Sequence, residues 1–298
     1  MTFNEGASLD TSQVRSGGSN RGGALIGGGA GSIILFLIAT FLGVNPFDQG
    51  GSAGAFDTSQ VQQSGTQADF SECKTGADAN RDDTCRVIGT VNSVQDYWRD
   101  ALPADANRQY RDAYTVLYSG QTQSGCGAAS SDVGPFYCPS DEQVYIDTSF
   151  FDDLTTRFGA DDGALAQMYV VAHEYGHHVQ NLLGVLKYSQ EDPQGAKSGA
   201  VRVELMADCL AGVWANHAAT TQDEQGTTLI KPLTKADIAS ALSAAAAVGD
   251  DRIQKSATGR VDPESWTHGS AEQRQRWFMT GYEKGDVNSC DTLSARRL

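Results

Sequence analysis

The stretch YVVAHEYGHHVQNLLG, residues 169–184, carries His173 and His177 four positions apart, with Glu174 beside the first. On a helix, positions i and i+4 share a face, so the two imidazoles point the same way one turn apart. Two neutral imidazoles at that spacing fill two of zinc's four tetrahedral positions, and the adjacent carboxylate stands where it can take a proton from a bound water. His-Glu-x-x-His on a helix therefore reads as a zinc hydrolase site with Glu174 as general base. The surrounding residues supply the helix. Leu165, Met168, Tyr169, Ala172, Val179, Leu182 and Leu183 fall at helical spacing, Asp161 or Asp162 is placed to cap the start, and Gly184 suits a left-handed end. Gly176 costs such a helix about 1 kcal/mol relative to alanine, which is tolerable where another element packs against the backbone.

The five-residue pattern arises by chance in roughly one chain of this length in a hundred, so a third ligand must separate a metal site from two ordinary helix histidines. Residues 200–219, AVRVELMADCLAGVWANHAA, read as a second helix. Glu204 and Asp208 are again four apart, on a face with Val201, Ala211 and Ala215. Two acids on such a face are costly to bury unpaired. A metal bound by Glu204, and a ligand histidine whose free ring N–H is taken by Asp208, would explain them. The alternative is a solvated face with Arg202 nearby.

At this point the chain resembles known families. His-Glu-x-x-His followed by Glu-x-x-x-Asp is the gluzincin arrangement of thermolysin-like peptidases. The segment Glu204-Leu205-Met206-Ala207-Asp208 looks like the Glu-x-x-Ala-Asp of membrane-associated CAAX-type and stress-induced zinc proteases. The fullest resemblance is to the bacterial neutral zinc metallopeptidase family, through 169–184, 203–214 (VELMADCLAGVW), 134–147 (GPFYCPSDEQVYID) and 268–286 (HGSAEQRQRWFMTGYEKGD), covering about residues 85–292. It implies a zincin-like peptidase domain holding one zinc ion on His173, His177 and Glu204, with Glu174 as base; it does not imply a substrate, for which a peptide or protein is the expectation.

The other histidines are weighed one by one. His178 is rotated about 100° from His177 and reads as a packing residue. His217 lies off the ligand face. His268 sits in SWTHGSAEQ, on a loop feeding a helix whose start pairs Ser270 with Gln273 in a capping box. By resemblance His268 is a candidate for stabilising the oxyanion formed as a carbonyl is attacked, with Arg274 or Arg276 beside it. The alternative is a loop histidine satisfied by nearby backbone. Substrate backbone would lie along an edge strand, for which Gln143–Asp147 (QVYID) is the expectation.

Residues 24–44 (ALIGGGAGSIILFLIATFLGV) hold no charge over 21 residues, about the length that crosses a bilayer. Arg15 and Arg21 precede the run, and no Lys or Arg follows it before Lys74. The positive-inside rule then gives a single-pass anchor in the cytoplasmic membrane, N-terminus inside and the bulk outside. A cleaved signal peptide, cut near Ser52-Ala53-Gly54-Ala55, is the rival. Residues 1–23 and 45–70, rich in Gly, Ser, Gln and Asp, read as a disordered cytoplasmic tail and a flexible linker. That leaves 71–298 as one extracytoplasmic domain.

All six cysteines fall in that domain. An even number outside the membrane suggests disulfides, for which Cys73–Cys85, Cys126–Cys138 and Cys209–Cys290 are the natural loops among fifteen pairings. A cysteine zinc site competes, without a close Cys-x-x-Cys pair to support it. Two acids and two arginines before residue 45 cancel, so the net charge of −15 belongs to the domain and argues against nucleic acid as a partner. Oligomeric state is not legible.

The expected architecture is an α+β domain, mostly helical, with a small sheet beside the His-Glu-x-x-His helix. Helices are expected over 87–102, 148–158, 234–248 and 270–284, strands over 113–119 and 143–147, and gating loops over 185–199 and 220–231. Three functions fit: a membrane-anchored zinc peptidase, a cell-envelope hydrolase of peptidoglycan amides, and a non-catalytic zinc-stapled scaffold. Intact Glu174 disfavours the last, since a structural site needs no base.

Overall fold

The computed structural model describes residues 2–17, 69–223 and 225–298. In chain order the elements are β1 (Val14–Ser16), α1 (Gly76–Ala79), α2 (Asp83–Ala106), β2 (Tyr114–Tyr118), β3 (Gln121–Ser124), β4 (Gly127–Ser130), β5 (Phe136–Cys138) and β6 (Gln143–Asp147). Then follow α3 (Phe150–Thr156), α4 (Ala164–Leu183), α5 (Lys187–Glu191), α6 (Gly199–His217), α7 (Lys235–Ala247), α8 (Asp250–Thr258) and α9 (Ala271–Lys284). This is a mixed α+β fold, mostly helical, with a four-stranded sheet in the order β1-β2-β6-β5 and a separate β3–β4 hairpin. β1, β2 and β6 run parallel, and β5 returns antiparallel to β6.

Helix α4 lies between the sheet and the other long helices. Tyr175 ties it to the sheet side: its hydroxyl donates to Ala113 O at 3.1 Å and lies 3.0 Å from Thr115 Oγ1. On its far side α4 meets α6 and α7. α6 and α9 approach closely enough that only glycine fits between them. A Cβ on Gly212 would stand 2.0 Å from Phe278 O, and one on Gly281 would stand 1.9 Å from Cys209 O. Cys209–Cys290 then fastens α6 to the C-terminal segment, while Cys73–Cys85 and Cys126–Cys138 close the other two loops. Cys73 and Cys85 gather with Asp82 in a metal-like cluster, but their sulfurs are bonded to each other and offer no thiolate.

Several expectations change. Gln143–Asp147 is a strand, but it is interior: β2 pairs with its whole length on one side and β5 with Gln143–Tyr145 on the other, so it is not the edge strand expected for a substrate. α4 starts at Gly163 with no side-chain cap rather than at Asp161 or Asp162. Ser240 of α7 fills the space there, 2.4 Å from where a Cβ on residue 163 would sit. Gly184 does end the helix, at φ 73°. The 185–199 loop contains α5, and α8 was not anticipated.

The largest change concerns the N-terminus. Residues 2–17 are packed, not disordered: Phe3 and Ala7 are fully buried, Val14 is nearly so, and β1 forms the edge of the sheet. Composition alone could not reveal this, because three buried apolar side chains suffice when the receiving surface supplies backbone hydrogen bonds. Phe3 bridges to Ile230, which occupies part of the expected 220–231 gating loop. The uncharged run 24–44 and nearly all of the expected linker lie outside the described residues. Among the described residues, no helix is long and apolar enough to cross a membrane.

Gly281→Ala tests the tight helix crossing. Alanine improves helix propensity, yet overpacking against Cys209 O costs about 1–3 kcal/mol or more. Urea unfolding is expected to show a lowered midpoint; an unchanged or raised one would contradict the packing.

Candidate metal centre

Two helices supply the centre, and Gly176 sets their distance. A Cβ there would lie 3.0 Å from both Cα and O of Ala207, so α4 and α6 touch backbone to backbone at that point. His173 and His177 flank the contact on α4; Glu204 and Asp208 flank it on α6. The ligand atoms of His173, His177 and Glu204 lie within 4.8 Å of one another, all buried. His173 Nε2 is 3.2 Å from Glu204 Oε2, and His177 Nε2 is 3.5 Å from Glu204 Oε1. Tetrahedral donors on a zinc ion with bonds of about 2.0 Å stand about 3.3 Å apart.

The tautomer of His177 follows from its neighbour. Gln180 donates Nε2 to Val203 O at 2.6 Å, so its Oε1 faces His177 Nδ1 at 2.8 Å and must accept that proton. The Nε2 lone pair is left aimed at the cluster without a hydrogen-bond partner. His173 is fixed the same way, with Nδ1 2.9 Å from Asp208 Oδ1. Imine nitrogens and a carboxylate converging in a buried space repel unless a cation or proton lies among them. The donor set therefore fits zinc. Burial opposes charge on His173, but Asp208 and the hydrogen bonds to Asp208 and Glu204 outweigh it and lift the imidazole to about 9. Burial likewise works to raise Glu204, yet the facing imidazoles of His268 and His177, with the hydrogen bond to His173, hold it well below the usual carboxylate range.

Asp208 can stay ionised because Arg274 meets it. The guanidinium donates Nε to Oδ2 and Nη2 to Oδ1, each at 3.0 Å, with both side chains buried. Tyr169 donates its hydroxyl to Asp208 Oδ1 and accepts from Arg274 Nη2 at 3.1 Å. Burial works to raise Asp208, but Arg274 and His173 hold it below its ordinary value. Arg274 is thus committed behind His173 and is not free to meet an oxyanion. Arg276 points elsewhere, to Leu298 O and Glu272. The expectation of either as an oxyanion partner does not hold.

His268 is brought to the centre, 3% exposed, with Nε2 4.0 Å from Glu204 Oε1. Its loop hangs on one carboxylate that sequence reading missed. Asp250 Oδ2 accepts the N–H groups of Thr267, His268 and Gly269 at 2.9, 2.7 and 2.9 Å. Asp251 Oδ1 takes the next helix's Ala271 N–H at 2.8 Å. Both acids lie in the first turn of α8. Ser270 and Gln273 form the anticipated capping box.

Glu174 is 4% exposed, and its Oε2 has no partner. Burial raises its pKa, although the neighbouring imidazoles of His177 and His173 pull the other way. A buried carboxylate with a free oxygen beside a cation site suits a proton acceptor. The remaining histidines serve the fold. His178 lies between Tyr137 OH and Arg111 O at 3.0 and 2.6 Å, and His217 bonds Gly285 O at 2.8 Å and stacks on Tyr97.

Fold and centre together define a zincin-like arrangement. The sequence profile described as "Putative neutral zinc metallopeptidase" matches residues 3–293, and the chain belongs to that family. It is 53% identical over 302 residues to "Uncharacterized protein Rv2575" of Mycobacterium tuberculosis, covering 100% of both chains. It is 36% identical over 297 residues to "Uncharacterized protein YpfJ" of Escherichia coli, covering 97% of this chain and 96% of that one. No solved structure matches the chain.

Arg274→Met leaves Asp208 buried without its cation, a loss of about 3–5 kcal/mol near neutral pH. The native Asp208 carboxyl is held below its ordinary 3.8, so the stability it contributes is present above that pH and is lost as pH falls through the folded value. In the variant, protonation instead relieves the stranded charge. Urea unfolding across pH is expected to show the gap between the two proteins narrowing as pH falls from neutrality, first as the stranded carboxylate of the variant takes up its proton above 3.8 and then as the wild type loses its own contribution below that value; a pH-independent gap would contradict the pairing.

Proposed function

We propose that this chain is a zinc-dependent peptidase in which Glu174 is the general base. The observation that carries the reading is the buried convergence of two tautomer-fixed imidazoles and Glu204, with an unpartnered Glu174 carboxylate beside them. His173, His177 and Glu204 would hold the metal, which when bound supplies a Lewis acid that acidifies water and polarises a substrate carbonyl.

The chain's own groups do the rest. Glu174 takes the proton of the attacking water, its basicity raised by burial, and returns that proton to the leaving amine. Asp208, Tyr169 and Arg274 hold the His173 ring in place. His268 faces the same space from the α9 side and supplies a side-chain donor for the developing oxyanion. Its aim depends on the Asp250 clamp. The family membership supports a peptide bond as the target. Three disulfides support an oxidising, extracytoplasmic compartment, and the uncharged run 24–44 supports attachment to a membrane. The acidic net charge of −15 speaks against nucleic acid as a partner.

Purified full-length protein supplied with zinc is expected to cleave an unfolded protein substrate. Glu174→Gln should lower kcat by about 10²–10⁴-fold while zinc content stays at the wild-type level. Unchanged turnover in that variant would refute the role of Glu174. His268→Phe should lower kcat by on the order of 10²-fold with little change in KM; a rise in KM alone would assign His268 to ground-state binding.

A further inference from the structure

Residues 2–17 sit in a socket built to hold a backbone. Asn80 Oδ1 accepts the N–H groups of Thr2 and Phe3 at 3.1 and 3.0 Å, and its Nδ2 donates to Phe3 O at 3.0 Å. Asn92, 3% exposed, grips Asp10 in the same two-handed way: Oδ1 accepts its N–H and Nδ2 donates to its carbonyl, both at 2.9 Å. Two glycines make room. A Cβ on Gly76 would stand 2.0 Å from Asn4 O, and one on Gly89 would stand 2.6 Å from the Phe3 ring. The segment then leaves as β1, in parallel register with β2. Without it, the Asn80 and Asn92 amides and the β2 edge would lose these partners. An arm received at this many points is part of the folded body.

We propose that the socket holds this chain's own N-terminal arm, and that residues 2–17 therefore lie on the same face of any membrane as the metal centre. A single crossing by residues 24–44, with the N-terminus inside and the domain outside, would put a hydrocarbon layer of about 30 Å between arm and socket. Contacts of 2.7–3.1 Å, including Lys231 N to Thr2 O and Asn4 N to Leu229 O, do not permit that separation. Both flanks of the uncharged run thus end on one face, and the positive-inside reading, which counts only Arg15 and Arg21, is overridden by packing. Arg15 is itself engaged on the domain, over the Tyr114 ring at 3.4 Å. None of this depends on whether the chain hydrolyses peptides.

Reporter cysteines in the full chain test it, because all six native cysteines are in disulfides. Gly6→Cys adds a side chain where nothing lies within 4 Å, and Ser256→Cys sits on the exposed side of α8. Each is treated with a membrane-impermeant maleimide in intact cells and again after detergent. The two positions are expected to behave alike, both labelled before detergent or both only after it. Opposite behaviour would overturn the proposal. A second variant, Ser8→Cys with Thr75→Cys, joins residues paired in an isolated antiparallel bridge. It should form a reducible cross-link within a monomer. A covalent dimer would give the socket to a second copy's arm, and absence of any cross-link would leave it without the arm; either result overturns the proposal.

Discussion

The carboxylate of Glu204 is buried opposite the imidazoles of His173, His177 and His268. A charge so placed is tolerable only when met by a cation or a proton, and the surrounding structure is arranged to decide which nitrogen atoms face it. Gly176 brings the two helices into backbone contact, so that one turn of each supplies donors from opposite sides. Gln180 and Asp208 take the outer ring protons and leave inner lone pairs. Arg274 in turn neutralises Asp208, and reaches it because Gly212 and Gly281 let α9 lie against α6.

The parts of this account that sequence alone disclosed are those encoded within a helical turn. His173 and His177 declare their common face by spacing, with Glu174 adjacent to the first, as do Glu204 and Asp208 on theirs. The end of α4 at Gly184 and the start of α9 at Ser270 are written in capping residues. The disulfide pairs were readable because two of the three close short loops. The α+β class followed from the alternation of short strands and long periodic runs.

What stayed hidden depends on partners far away in sequence. Whether Gln143–Asp147 is an edge or an interior strand is settled by β2 and β5, not by its own residues. Arg274 reads as a candidate catalytic cation until Asp208, 66 residues away, is seen to occupy it. Asp250 gives no sign in its own neighbourhood that it orders the His268 loop through three backbone N–H groups. The arm at 2–17 has a composition that suggests disorder, and its packing comes from Asn80, Asn92 and the glycines that receive it.

Metal content of the purified full-length chain, measured beside a Glu204→Gln variant that keeps the carbonyl oxygen but loses the charge, tests the central claim most directly. One zinc per wild-type chain is expected, falling to well under one in the variant while the helical circular dichroism is unchanged. Equal zinc in both proteins, or none in the wild type after zinc is supplied, would contradict the account.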